Sequence, residues 1–267
     1  METIKCPICY SSDYSHYISV KDRFNIDKNI EFDLVKCKCD FIFLNPRPLE
    51  LEISKYYKSN NYSPHSKNGI LYRIAQKISF FWKYHLIKKY KNKCTILDYG
   101  SGKGDFSFYM NKKGFKVDNY EPILKSENVT KDNYDIVSMW HSLEHIHDLK
   151  NSFSKISAFL KDDGFLIVAV PNIDAIERKY FKEKWCAYDA PRHLYHFNEK
   201  SISQLLDKYN FKIIKSMNII QDTFYNIYLS LGKKKNLYFF YLSFFSLIKI
   251  LLNSKKSSSK LYICTKK

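Results

Sequence analysis

Three of the seven glycines in this 267-residue chain fall within five positions, in the run Asp98-Tyr-Gly100-Ser101-Gly102-Lys-Gly104. They follow the apolar run 95–97 and precede an amphipathic stretch that begins at Asp105. Glycine in such a turn permits positive φ and lets a ligand approach the backbone with no Cβ in the way. The first strand-to-helix turn of a doubly wound sheet is where a nucleotide-like ligand binds. The spacing Gly-x-Gly-x-Gly differs from the Gly-x-Gly-x-x-Gly of dinucleotide sites. A second acid, Glu121, follows at about the 20-residue distance at which a carboxylate accepts the ribose hydroxyls. Gly100, Ser101, Gly102 and Gly104 are therefore expected to bind a nucleoside, with Asp98 and Glu121 as its polar anchors.

A second group follows the apolar run 135–140, at the sheet edge where that ligand would lie: Trp140, His141, Glu144 and His145. Transfer to a hydroxyl or carbon needs a general base, and either histidine or Glu144 can take a proton. On a helical turn His141 and His145 would share a face. The alternative is that some of these residues cap the next helix or shape the ligand pocket. The order His-x-x-Glu-His is not the His-Glu-x-x-His of zinc proteases, which disfavours a catalytic metal. The stretch 185–197 adds Trp185, Tyr188, Asp189, Arg192, His193 and His196 as candidates for substrate contact. Arg192 can grip a phosphate bidentately, or close an internal salt bridge. Tyr56, Tyr57 and Tyr62 stand either as a lid over the ligand or as packing.

Four of the seven cysteines form two close pairs, Cys6/Cys9 and Cys37/Cys39. Thiolates in this arrangement suit a tetrahedral structural zinc site. Because Cys37-x-Cys39 is tight, His16 is the alternative fourth ligand. Cys94, Cys186 and Cys264 are isolated and expected in the core.

These residues need a scaffold. Segments 95–98, 116–120, 135–140, 165–170, 211–217 and 261–265 read as strand candidates. Between them, 105–113, 149–160 and 201–209 read as helices. The alternation argues for an α/β fold: a Rossmann-like, mainly parallel sheet with helices on both faces. Three regions are expected. A zinc-ribbon-like module covers 1–48, a helical linker covers 49–93, and the main domain covers 94–267 with an apolar helical insertion at 224–252. Within that insertion, 237–252 is almost wholly apolar but contains Lys249. At 16 residues it falls short of the ~20 that span a membrane. It reads as a helix on the core or over the substrate, or as shallow peripheral membrane contact aided by flanking lysines.

The net charge is +17, yet only five residues are arginine and the lysines are scattered. That disfavours nucleic acid, which more often selects arginine and a focused basic stripe. A small anionic substrate or a membrane surface remains open as partner. No apolar leader precedes the first cysteines, and paired free cysteines suit a reducing compartment. The cytoplasm is the expected location, with the inner membrane face as the variant.

Taken together, these stretches resemble the class I S-adenosylmethionine-dependent methyltransferases. More narrowly, the chain resembles a zinc-ribbon-containing bacterial subgroup found among nucleotide-sugar and surface-glycan methyltransferases. The resemblance rests on Cys6-Pro-Ile-Cys9, Leu44-Asn-Pro-Arg-Pro48, 96–104, 134–146, 160–167, Val170-Pro-Asn172 and Trp185 through Phe197. It implies S-adenosylmethionine as cofactor, with the methionine ammonium facing Asp98, the ribose on Glu121, and Trp140 and His141 beside it. It also favours the Glu144–His145 neighbourhood as the base. Two departures stand out. Only residues 122–133 join Glu121 to the fourth strand, so the third strand is expected to be shortened or lost, with no adenine contact identifiable. The second cysteine pair is Cys-x-Cys where the subgroup has Cys-x-x-Cys. The expected function is methylation of a small sugar or nucleotide-sugar acceptor. The alternatives are O-methylation of a quinone precursor at a membrane, a non-catalytic binding protein, and, more weakly, RNA modification.

Overall fold

In the computed structural model, residues 1–26, 30–57, 70–122, 126–129, 133–232 and 237–267 are described. The chain opens with β1 (Tyr14–Lys21), β2 (Glu31–Cys37) and β3 (Ile42–Leu44). Of the helical region expected over 49–93, the described residues form a 3-10 turn at Ile53–Tyr56 and α1 (Ile70–Tyr90). Next come β4 (Thr95–Tyr99), α2 (Asp105–Lys112), β5 (Lys116–Glu121), β6 (Ser126–Asn128) and β7 (Tyr134–Trp140). Then follow α3 (Leu149–Phe159), β8 (Leu160–Pro171), the short α4 (Arg178–Phe181), β9 (Tyr195–His196) and α5 (Glu199–Lys208). The chain ends with β10 (Phe211–Asn218), α6 (Ile220–Ser230), α7 (Leu237–Leu252) and β11 (Ser259–Lys266).

Among the described residues, seven strands form the main sheet in the order β10-β11-β8-β7-β4-β5-β6. Strands β5, β4, β7 and β8 run parallel, as the alternation with helices predicts. Successive residues of these strands point to opposite faces. Leu97, Val137 and Leu166 enter one core with Phe153 of α3 and Leu205 of α5. Ile96, Ile136 and Ile167 enter the other with Ile87 of α1 and Met110 of α2. Burial on both faces explains why β4, β7 and the second half of β8 read as apolar runs, whereas β5, near the sheet edge, keeps Lys116, Asp118 and Asn119. Two of the helices that cover them, α3 and α5, start where a side-chain cap satisfies an early N–H group. Asp148 accepts from Asn151 N at 3.0 Å ahead of α3. Asn198 and Ser201 exchange hydrogen bonds ahead of α5.

The third strand is shortened, not lost. β6 keeps three residues and pairs antiparallel with β5. Its direction follows from the linker, since a parallel return needs a crossover of about a dozen residues or more.

The first sheet has the order β1-β2-β3-β9, so it is not built from the first 48 residues alone. β9 arrives from the loop after β8 and pairs Phe43 with Tyr195. Phe41 stacks on Phe43 and Tyr195, at 5.9 and 6.0 Å between centroids. This contact fixes the 172–197 loop between the two sheets. Cys94, Cys186 and Cys264 are buried as expected.

Between β10 and β11 the described residues form α6 and α7, and α6 starts at Ile220, ahead of the expected 224. α7 buries Leu242, Ser243, Ser246 and Ile250 but exposes Leu237, Phe240, Phe244, Leu251 and Leu252. Among the described residues, no helix is long and apolar enough to cross a membrane.

Candidate active site

The turn from β4 into α2 carries Gly100, Gly102 and Gly104 at φ of 84°, 55° and 77°. At Gly100 two demands coincide. Its φ is left-handed, and a Cβ there would stand 2.3 Å from Cβ of Ser142. The glycine thus lets the loop after β7 press against the turn, and the Ser142 hydroxyl locks it by donating to Tyr99 O at 2.8 Å. The Ser101 carbonyl accepts the Gly104 N–H at 3.0 Å, which tightens the turn. Glu121, at the end of the neighbouring β5, accepts the Gly102 N–H at 2.8 Å.

Asp98 is 3% exposed and accepts one hydrogen bond, from Ser138 Oγ at 3.0 Å. Burial pushes its carboxyl up to about 7, against the pull of Lys83. Lys83, from α1, holds its ammonium 4.3 Å from the Trp140 ring centre and 5.4 Å from that of Phe106. Burial brings it down to about 8, opposed by Asp98 and Asp222. The Trp140 indole N–H is buried with no partner. This end of the sheet therefore gathers two carboxylates, an ammonium and an unsatisfied donor around an open-backbone turn. That set fits a ligand bearing an ammonium, a carboxylate and a ribose diol.

His141 follows β7 in a left-handed conformation, φ 55°. It does not share a face with His145, because the helical turn here is a 3-10 turn that starts only at Leu143. Instead its Nε2 lies 2.9 Å from Asp222 Oδ2 and its Nδ1 lies 3.5 Å from Glu144 Oε1. Burial disfavours its charge, but Asp222 and then Glu144 outweigh that and raise it to about 10. Both ring nitrogens of His141 thus face carboxylates. Glu144 is fully buried. Burial would raise its carboxyl, yet His141 above all, then His145 and His193, hold it down near 2. Neither of its oxygens has a hydrogen-bond partner.

The loop after β8 supplies one member of this group. Ligating atoms of Glu144, His145 and His193 lie within 4.8 Å of one another. The His145 Nδ1 is 3.0 Å from the Arg192 carbonyl and 2.9 Å from the Tyr57 hydroxyl. The His193 Nδ1 is 2.9 Å from the Ala187 carbonyl. Burial lowers His193 to about 4.

The other expected substrate residues lie elsewhere. Arg192 is fully buried, with its guanidinium on Asp22 at 2.7 Å and on Asp189 at 2.9 Å. Its fork is closed on two carboxylates rather than presented to a phosphate, so the salt-bridge alternative is the one found. Asp189 is held by Arg192 and by Arg23 at 3.0 Å. Trp185 is buried, donating to Glu177 at 3.4 Å. His196 is buried beside Tyr188, with ring centres 5.6 Å apart. Tyr56 is core, and Tyr62 lies outside the described residues.

At the first sheet, the four expected cysteines converge without His16, whose Nε2 meets Ser19. Sγ of Cys6 lies 3.6 Å from that of Cys39, and Cys9 lies 3.5 Å from Cys37. A tetrahedral zinc with bonds of about 2.3 Å sets its sulfurs about 3.8 Å apart, so this set fits.

Nothing in the local sequence marks Lys83, Asp22 or Asp222. Lys83 is one lysine among several in α1, and the two aspartates act only through partners brought in by tertiary contact.

A methyltransferase-domain family matches residues 67–216, more than half of the chain. No curated protein sequence matches. Among solved structures, the chain is similar to a putative sarcosine dimethylglycine methyltransferase from Galdieria sulphuraria at 13% identity and a TM-score of 0.48. That match covers 72% of this chain and 87% of the other. A SAM dependent methyltransferase from Archaeoglobus fulgidus matches at 16% identity and a TM-score of 0.45, covering 74% and 100%. A geranyl diphosphate C-methyltransferase from Streptomyces coelicolor A3(2) matches at 13% and 0.48, covering 76% and 87%. None reaches a TM-score of 0.5, and none says what this chain acts on. The chain belongs to the methyltransferase-domain family.

Proposed function

We propose that the chain methylates a small polyhydroxylated acceptor, a sugar or nucleotide-linked sugar of surface-glycan biosynthesis. The observation that carries this reading is the polar cluster of Glu144, His145 and His193, whose Glu144 lies two residues beyond the Ser142 that abuts the glycine turn. S-adenosylmethionine supplies a methyl already activated on sulfur, so the protein must align the acceptor and remove its proton. Glu121 accepts the ribose hydroxyls, Asp98 faces the ammonium, Lys83 meets the carboxylate, and Trp140 and the Gly100–Gly104 backbone line the rest. The Glu144–His145–His193 cluster binds the acceptor hydroxyl and promotes loss of its proton. Its hydrogen-bonding groups favour a sugar over an apolar ring. With Arg192 committed to Asp22 and Asp189, a nucleotide phosphate must find another partner or remain in solvent. Residues 1–48 act as a zinc-ribbon-like module, with zinc on Cys6, Cys9, Cys37 and Cys39 stabilising the first sheet, while 94–267 carry the chemistry.

A second reading, a quinone-precursor methyltransferase at a membrane surface, is favoured by the exposed apolar side chains of α7. Methyl-labelled cofactor offered with a panel of free and nucleotide-linked sugars and phenolic quinone precursors separates the two. Label in a sugar, falling ~100-fold in Glu144→Gln with cofactor affinity kept within about threefold, supports the first. Label in phenols alone, or full turnover by Glu144→Gln, overturns it.

A further inference from the structure

We propose that Glu144, His145 and His193 form a binding site for a first-row divalent cation, whose open positions take the acceptor's hydroxyl. This deepens the reading above and rests on it.

Glu144 supplies the first observation. A buried carboxylate costs several kcal/mol unless it is paired and hydrogen-bonded. Both Glu144 oxygens lack a hydrogen bond, although the side chain is fully buried. His141 stands 3.5 Å away as an ion-pair partner, outside hydrogen-bonding geometry. The Glu144 backbone is fixed as well, because its carbonyl accepts from Leu194 N at 2.8 Å. The carboxylate is thus held in place, aimed at the histidines and not satisfied by them.

The second observation is the orientation of the two imidazoles. The Nδ1 of His145 faces the Arg192 carbonyl and the Tyr57 hydroxyl, and the Nδ1 of His193 faces the Ala187 carbonyl; a carbonyl can only accept, so in the tautomer that satisfies both carbonyls each Nδ1 carries the proton. In that tautomer Nε2 of each neutral ring carries the lone pair, that of His193 lying 3.9 Å from Asp189 Oδ2. This is how metal-ligating histidines are held, with the far nitrogen donating to a backbone carbonyl or carboxylate. Both carbonyls belong to one loop, 187–192, which is braced by the buried Arg192–Asp22–Asp189 network. That gives the network a use: it positions the carbonyls that orient the ligands.

One ring nitrogen of each histidine and one Glu144 oxygen fall within 4.8 Å of one another. That is wide for a closed site but within reach of a cation near 2.1 Å from each after small side-chain movement. Two imidazoles and one carboxylate suit manganese, iron, cobalt or zinc better than calcium or magnesium. Three protein ligands leave positions open. An acceptor hydroxyl bound there has its pKa lowered and loses its proton to solvent water. Its oxygen then forms the new bond to the methyl carbon as the carbon–sulfur bond breaks, and the electron pair stays on sulfur. The local order His-x-x-Glu-His hid this site, because the third ligand comes from a loop far along the chain.

The test is a Mn2+ titration of the full chain, followed by loss of the free-ion electron paramagnetic resonance signal. Mn2+ prefers nitrogen and oxygen over thiolate, so the cysteine cluster does not compete. One Mn2+ per chain is expected, bound at least 30-fold more weakly by Glu144→Gln and by His193→Ala but equally by Cys9→Ser. Cofactor binding retained in each variant shows that it has folded. Failure of the folded, cofactor-binding wild type to bind Mn2+, or equal binding by Glu144→Gln, overturns the cation site and leaves the methyltransferase reading standing. Loss of cofactor binding by the wild type would instead remove the reading on which the proposal rests.

Discussion

Asp98→Asn separates what a buried acid costs the fold from what it gives the cofactor. The Asp98 carboxyl is 3% exposed, has one hydrogen bond and sits near 7 because burial disfavours its charge. Its ordinary value is 3.8. At about 1.4 kcal/mol for each pH unit, charging it in the folded state costs ~4 kcal/mol. The folded chain therefore holds a proton that the unfolded chain releases between about pH 4 and pH 7, and stability from this group declines as pH rises across that window. Above pH 7 the full cost is present, already reduced by the attraction of Lys83. An asparagine carries no such cost, though its amide loses ~1–2 kcal/mol if one N–H goes unpaired. Urea unfolding at pH 5 and pH 7.5 reads the difference between the two proteins, so other titrating groups cancel. The variant should gain ~2–3 kcal/mol relative to wild type on going from pH 5 to pH 7.5, and cofactor-induced stabilisation at pH 7.5 should nearly vanish. A variant that tracks wild type at both pH values, with cofactor stabilisation intact, would refute both the burial argument and the ammonium contact.

Three further predictions follow from neighbouring features. Gly100→Ala places a Cβ against Ser142 in a left-handed residue, so it should cost ~3 kcal/mol in denaturant unfolding; a loss under ~1 kcal/mol would contradict the close contact. Arg192→Leu strands Asp22 and Asp189 and should destabilise by ~3–5 kcal/mol. A stable Arg192 variant whose only defect is a raised acceptor KM would restore the phosphate role. If zinc links the four cysteines, a strong chelator should lower the wild-type midpoint of thermal unfolding by about 5 °C or more; Cys9→Ser should lower it similarly and remove the chelator's effect.

The parallel sheet was legible because β4, β7 and β8 are buried on both faces and therefore read as apolar runs between amphipathic ones. The glycine turn was legible because seven glycines in the whole chain make three in five residues conspicuous. The direction of β6 was not read, although the short linker dictates it. β9 was invisible: two residues form a strand only because Ile42 and Phe43 offer them an edge. The fate of Arg192 turned on Asp22, which sequence reading had no reason to place beside it. Likewise, His193 became a neighbour of Glu144 only through the path of the loop after β8. Local pattern records what a residue can do, and distant partners decide whether it is free to do it.

The central claim is that the turn between Asp98 and Glu121 binds S-adenosylmethionine, and calorimetry on wild type and Glu121→Ala tests it most directly. The account predicts micromolar binding that weakens ~10- to 100-fold in the variant, as expected for lost hydrogen bonds to a charged acceptor. No heat of binding from the folded wild type, or equal affinity in the two proteins, would contradict it.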